Sequence, residues 1–301
     1  MKKFLTKEIQ ADDVYASLTI EDLLEGFPTG KPHVSFSEIA GWDACQLRHY
    51  LEHVLKLATW EENPYADLGT SCHDVAETYI DKRVLDVAAG QALFKKLWTK
   101  NYENYSEKTL ERLRKQYKVS TDEGVFLVYN QMIEDIMVEL PAFMDDTFPG
   151  WEPVNAEEFI YEQIPGDGMR FKGYVDAIIK CKNKRGKELI WLIDWKTCGW
   201  GWTVQQKRDP IKAMQLGYYK IYYAQKRGLD LKDVRCAFVL LKRDGKKGAR
   251  IEPLTVSVGP KAVDRANEKA TQMLSAVRKG FRFKNRKNCR FCPWQKTERC
   301  P

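Results

Sequence analysis

Apolar positions fall into two rhythms along the chain. From Ser35 to about residue 150 they recur every three or four residues, the period of amphipathic helices. From about residue 151 they come in short runs rich in β-branched and aromatic residues, the texture of strands. The first helical stretch, "SFSEIAGWDACQLRHYLEHVLKL", opens on Ser35-x-x-Glu38, a capping-box signature, with Cys45 inside the helix or at a break in it. After a loop through Asn63 and Pro64, "LGTSCHDVAETYIDKRV" reads as glycine, small polar caps and then helix. His73 and Glu77, four apart, share one face of it. Residues 85 to 150 read as mostly helical, ending near Pro149 and Gly150.

Three β-like runs follow: "EEFIYEQIP", "MRFKGYVDAIIKC" and "ELIWLIDWKT", the last two joined by the polar turn "KNKRGK". A helix is then expected from Asp209 as N-cap and Pro210 in the first turn to Gly228 as stop. "VRCAFVLLKRDGKKGARIEPLTVSV" supplies a strand and a hairpin, and "KAVDRANEKATQMLSAVRKG" a final amphipathic helix. The order implies an α/β (α+β) fold in which a small sheet is flanked by helices. The expected organisation is an N-terminal arm (1–34), a helical region (35–150), a core (151–280) and a basic C-terminal segment (281–301), with 35–301 forming one compact unit.

Composition narrows the function. The 301 residues are 44% hydrophobic, and no apolar stretch reaches the roughly 20 residues that would span a bilayer. The start, "MKKFLTKEIQ", has no apolar signal-peptide region, so the expectation is a cytoplasmic protein of a bacterium, an archaeon or a phage-infected host. The net charge of +7 permits nucleic acid as a partner. Between Arg278 and Cys300 nine basic residues face a single acid, Glu298, with Phe281, Phe283, Phe291 and Trp294 interleaved. That mixture suits phosphate contacts and base stacking, and it equally suits a solvated basic tail. Arg282, Lys284, Arg286 and Lys287 are its candidate DNA contacts.

The charged pair in "LIWLIDWKTCGWGW" carries more information. Alternation along a strand puts Asp194 and Lys196 on one face and Ile193 and Trp195 on the other. Asp176, in "GYVDAII", ends a similar run one strand earlier, and neighbouring strands about 4.8 Å apart can bring the two carboxylates together. Two close carboxylates repel unless a cation neutralises them, and a hard divalent ion is a natural occupant. An ordinary strand-end salt bridge satisfies the same spacing. Beyond the strand, Trp200 and Trp202 are candidates to stack on a base.

The series "SFSEIAGWDACQLRHY", "LGTSCHDVAETY", "GYVDAII", "IDWKT" and "MQLGYY", in that order, resembles the RecB-like branch of the PD-(D/E)XK nuclease superfamily. The resemblance spans most of residues 35 to 301 and implies a restriction-endonuclease-like core. It implies His73, Asp176, Asp194 and the backbone carbonyl of Trp195 as ligands of Mg²⁺ or Mn²⁺, and Lys196 as the catalytic lysine. Gln215 and Tyr219 match the branch's Gln-x-x-x-Tyr pair. The activity implied is metal-dependent hydrolysis of DNA phosphodiesters, as an exonuclease on ends or single strands in recombination, repair or phage DNA metabolism, with a helicase or recombinase as possible partner. A cleavage-silent DNA-binding or assembly subunit and a structure- or sequence-specific endonuclease are the alternatives.

Eight cysteines without a secretion signal suggest metal rather than disulfides. "NCRFCPWQKTERCP" gives Cys289-x2-Cys292-x7-Cys300, three ligands that need a fourth. The sequence is similar here to the iron-sulfur members of the branch, including CRISPR-associated exonucleases, which imply Cys45 as the fourth ligand of a 4Fe-4S cluster. Gln46 stands where those proteins often have proline, and the final spacing is a little longer than theirs. Structural Zn²⁺ is the alternative for the four thiolates.

Overall fold

The structure is a computed structural model and describes residues 27–57 and 61–301. Most of the expected N-terminal arm therefore lies outside the described residues. Its last part does not behave as an arm: Phe27 is buried, and His33–Ser35 forms a short strand, β1.

The chain divides into two compact units. The first combines the segment before Ala58 with residues Tyr161–Lys172 and Asp264–Pro301. In it, β1 runs into helix α1 (Phe36–Ala44), and β1 pairs in parallel with Arg170–Lys172. Ser35 caps α1 by accepting from the Glu38 N–H, but only this half of the capping box forms. Glu38 instead turns inward to His49, 3.2 Å away, because a buried carboxylate needs a partner more than an exposed cap does. Cys45 marks the break between α1 and the short α2 (Gln46–His49), its backbone being extended.

The second unit holds Thr59–Ile160 and Gly173–Val263. Its helices are α3 (Pro64–Lys82), α4 (Val87–Asn101), α5 (Glu107–Tyr117), α6 (Asp122–Met137) and α7 (Leu140–Thr147). Helix α3 starts five residues before the glycine that the sequence suggests as its start. Asn63 is the N-cap and Pro64 occupies the first turn, so Gly69 lies inside the helix. A Cβ on Gly69 would stand 3.0 Å from Thr197 Oγ1, so glycine serves close approach to a strand and not helix entry. Gly90 plays the same part between helices, since its Cβ would fall 2.3 Å from Val75 Cγ2.

The long strands β2 (Glu152–Gln163) and β3 (Arg170–Lys182) begin or end in the first unit. Strand β4 (Glu188–Cys198) pairs antiparallel to β3 and parallel to β5 (Val234–Lys242), and β6 (Ile251–Val256) closes a hairpin with β5. Helix α9 (Pro210–Arg227), after the one-turn α8 (Val204–Lys207), makes the crossover that parallel β4 and β5 require. It runs from Asp209 to Gly228 at φ 63°, as its punctuation predicts. The mixed sheet with flanking helices is the expected fold class. On one sheet face, Ala177, Ile179, Ile193, Trp195, Val239 and Leu241 join the core of α3 to α7. Helix α10 (Pro260–Arg278) leads back to the first unit, where its Arg278 makes a two-pronged contact with Asp167 at 2.6 and 2.7 Å.

Candidate active site

Strands β3 and β4 place the two carboxylates as neighbours. Their ladder runs as far as Ala177 opposite Ile193, which makes Asp176 and Asp194 the next pair along. At that point the side chain of Asp176 takes over from the backbone: its Oδ2 accepts the Trp195 N–H at 2.8 Å. The indole of Trp195, 1% exposed, is buried with the helical core, so Asp194 and Lys196 face the other side of β4, as the alternation predicts.

Asp194 is also 1% exposed, which is costly for a charge. Two groups offset that cost. Lys196 Nζ lies 2.6 Å from Oδ2, and Gln215 on α9 donates to Oδ1 at 2.9 Å. The lysine contact is an ion pair and not an aligned hydrogen bond, so Oδ2 remains without an aligned donor. Gln215 Nε2 also donates to Tyr219 OH at 3.1 Å, linking two residues one helical turn apart.

The electrostatics follow from burial. Desolvation pushes both Asp176 and Asp194 up to about 6; Lys196 opposes the rise in each, and repulsion from Asp176 adds to it in Asp194. Burial would lower Lys196, but the combined pull of Asp194 and Asp176 outweighs it and leaves the ammonium above its ordinary value. His73 on α3 has Nδ1 3.7 Å from Asp176 Oδ2. Although 36% of its side chain stays exposed, the protein around the ring pushes its pKa down to about 4, so it is a neutral imidazole near pH 7. Burial also raises the Tyr219 phenol.

Sequence reasoning passed over Glu157. It lies on β2, half-buried, with φ 54°, a left-handed conformation that disfavours a non-glycine residue, and its charge raises both His73 and Asp176. The run "NAEEF" contains it, but nothing in that pattern announces a backbone bend whose charge is felt by Asp176 and His73. Glu77, on the His73 face of α3, also raises Asp176.

The donor set of His73, two carboxylates and the Trp195 carbonyl suits a hard divalent ion, and the unaligned Oδ2 of buried Asp194 is the atom such an ion would satisfy. Among the described residues, however, no three His, Cys, Asp or Glu side chains converge closely enough to form a ready-made metal cage. In this arrangement Lys196 is the cation that neutralises Asp194.

A sequence model of the PD-(D/E)XK nuclease superfamily matches residues 33–301. The chain belongs to that superfamily. It is therefore a nuclease of the phosphodiesterase type, with DNA as the substrate its superfamily implies, and nucleases of this superfamily typically use Mg²⁺ or Mn²⁺. The fold is similar to that of a crystal structure titled "putative exonuclease" from Eubacterium rectale, with TM-score 0.53 and 12% identity over 90% of each chain. The solved structure of SSO0001 is 14% identical over 83% of this chain and 91% of its own, but its TM-score of 0.31 is too low to bear on the fold. No curated protein sequence matches.

Elsewhere in the nuclease, Trp200 stands 75% exposed, whereas the Trp202 ring lies 5.0 Å from Phe238 with Lys212 Nζ 4.3 Å from its centre. In the first unit, Cys45, Cys289, Cys292 and Cys300 line one small cavity. Cys45 Sγ accepts from the Asn285 N–H at 3.5 Å, and Leu47 N–H donates to Phe283 O at 3.2 Å, fastening the tail to the start of α2. Arg282, Lys284, Arg286 and Lys287 are all exposed. No helix of the described residues is long and apolar enough to cross a membrane.

Proposed function

We propose that this nuclease is a metal-dependent exonuclease of the RecB-like branch, acting on DNA ends or single strands in recombination, repair or phage DNA metabolism. The observation that carries the catalytic reading is the neighbouring pair of half-buried Asp176 and buried Asp194, both pushed up to about 6, with Lys196 Nζ at 2.6 Å from the second. His73, Asp176, Asp194 and the Trp195 carbonyl are the residues that would hold the ion. When bound, a divalent cation supplies Lewis acidity toward the phosphate and favours ionisation of the attacking water.

The protein's own groups do the rest. Trp195 N–H and Gln215 each fix one carboxylate, so little reorganisation is needed when the phosphate arrives. Tyr219 steadies Gln215 and is a positioning residue. Lys196, kept fully protonated, offsets negative charge that develops on the phosphate oxygens. His73 stays neutral and can offer a lone pair. Trp200 and the basic tail are proposed contacts for the strand.

We also propose that Cys45, Cys289, Cys292 and Cys300 hold a 4Fe-4S cluster, with Zn²⁺ as the competing occupant. Their lining of a common cavity supports it. The exonuclease preference rests on the branch resemblance. End-labelled single-stranded, blunt duplex and closed circular DNA, incubated with Mg²⁺, Mn²⁺ or EDTA, test it. Progressive loss from an end is expected; cutting of the circle would replace it with an endonuclease, and retarded intact DNA with a binding subunit.

A further inference from the structure

Helix α3 crosses three neighbouring strands of the second unit. Tyr65, Gly69 and His73 on it are spaced four apart and share one face. His73 reaches Asp176 on β3 at 3.7 Å, and Gly69 packs against Thr197 on β4. Tyr65, in the first turn, meets Arg243, the residue that follows β5, whose guanidinium carbon stands 4.5 Å from the centre of the ring. Arg243 prolongs the pairing of β5 with β4, its N–H donating to Cys198 O at 2.9 Å. Alternation from Val239 and Leu241 puts its side chain on the helical face. Tyr65 and His73 are eight residues apart, about 12 Å along the helix. One DNA strand carries a phosphate about every 3.4 Å of rise, so this span matches a few nucleotides.

Arg243 differs from the cations around it. Lys242 pairs with Glu252 at 3.2 Å, and Arg250 on the same hairpin pairs with Asp135 and Glu139 at 2.8 and 3.1 Å. Arg243 is half-buried, yet among the described residues its side chain makes no ion pair and no hydrogen bond. Only its Nε is sealed from solvent, so the two terminal nitrogens remain open to a partner. A second guanidinium, that of exposed Arg112 on α5, lies 5.4 Å from the centre of the same tyrosine ring and also has no ion pair among the described residues. Nor is the Tyr65 hydroxyl, which has no partner there, sealed from solvent. Of the nearby acids, Asp244 accepts from Tyr117 OH at 3.2 Å, and Glu61 and Glu62 ahead of α3 pair with neither arginine. Two like charges at one ring repel, and an anion held by both removes that repulsion. A guanidinium fork with an added hydroxyl donor suits the oxygens of a phosphate.

We propose that Arg243, joined by Arg112 and the Tyr65 hydroxyl, grips one phosphate of the DNA strand a few nucleotides from the bond being cut. This rests on the reading of DNA as substrate and of the carboxylates as its place of cleavage, and adds a contact that sets the path of the strand along α3. The competing role is purely structural, an arginine stacked on Tyr65 to tie β5 to α3. The two roles differ in their response to salt and to the charge of a single phosphate.

The test is fluorescence anisotropy of the full-length protein in EDTA, with single-stranded oligonucleotides over a range of salt concentrations. Loss of one phosphate contact lowers the slope of log affinity against log salt by about 0.7 on a single strand. Arg243→Gln keeps a flat head against Tyr65 but removes the charge, and should show that loss with about 10- to 150-fold weaker binding. Arg243→Lys should restore the slope but not the full affinity. Among strands that each carry one uncharged methylphosphonate, one position should weaken the wild type and cost Arg243→Gln nothing further. Should Arg243→Gln fail to fold, Arg112→Gln at the exposed position carries the same two readouts. An unchanged salt slope in the folded variant, or losses that add at every position, overturn the proposal. So does weakening confined to strands with a terminal phosphate, which assigns Arg243 to strand ends. A protein that neither binds nor cuts DNA refutes the substrate reading itself, whereas binding and cutting that ignore Arg243 and Arg112 refute only this contact.

Discussion

The backbone N–H of Trp195 donates to Asp176 Oδ2 at 2.8 Å, so a side chain of one strand stands where the next carbonyl of the ladder would be. The carboxylate is thereby fixed by main chain on the adjacent strand. Three roles meet at Trp195: its indole anchors β4 in the helical core, its N–H orients Asp176, and its carbonyl is a proposed ligand.

Burial of Asp194 sets activity against stability. Its pKa rises from 3.8 to about 6, about two units, equivalent to about 3 kcal/mol of penalty on the ionised form at neutral pH. Asp194→Asn should abolish cleavage, by at least about a thousandfold, yet raise resistance to urea by about 1–3 kcal/mol. Lys196→Ala should be equally inactive but less stable, because it leaves Asp194 buried without its cation. Single-turnover cleavage and urea denaturation check both, and full activity in either folded variant would remove the assignment.

The same shifts give a pH dependence. Both carboxylates bind protons more tightly folded than unfolded, so the stability they contribute is complete below about pH 4 and is lost as pH rises through about 6. A divalent cation competes with those protons. Millimolar Mn²⁺ should raise Tm more at about pH 8 than at about pH 5, and calorimetric affinity should fall about 10- to 100-fold per unit of acidification below about pH 6. A pH-independent affinity would contradict the paired-carboxylate ligand set.

Gly90→Ala tests the helical packing. With Val75 Cγ2 at 2.3 Å from the new Cβ, α3 and α4 must separate, at a cost of about 1–3 kcal/mol despite alanine's better helix propensity. Urea denaturation should show the loss.

For the cysteines, anaerobically purified protein should be brown and contain iron and sulfide in equal amounts. Cys45→Ser and Cys300→Ser should lower both the iron content and Tm. Colourless protein with one equivalent of zinc would establish the alternative occupant.

The parts legible from sequence are those whose signals are local. Asp209, Pro210 and Gly228 mark α9 because capping is decided within a turn, and the alternation along β4 separates Asp194 from Trp195 without reference to anything else. What stayed hidden depends on distant partners. Gly69 looks like a helix start until Thr197 is seen against it, and Glu38 looks like half a capping box until His49 draws it away. Glu157 has no signature at all, since its bend has meaning only beside His73 and Asp176.

The first unit draws on stretches from the beginning, middle and end of the chain, the last being Asp264–Pro301. During synthesis it cannot be completed until the final helix and the cysteine tail have left the ribosome. Contacts such as Leu47 with Phe283 close loops of more than two hundred residues, which are slow to form. Assembly of this unit, and with it the cavity shared by the four cysteines, therefore waits on segments made after every residue of the carboxylate site, and a chain cut before Asp264 would forfeit the unit while retaining that site.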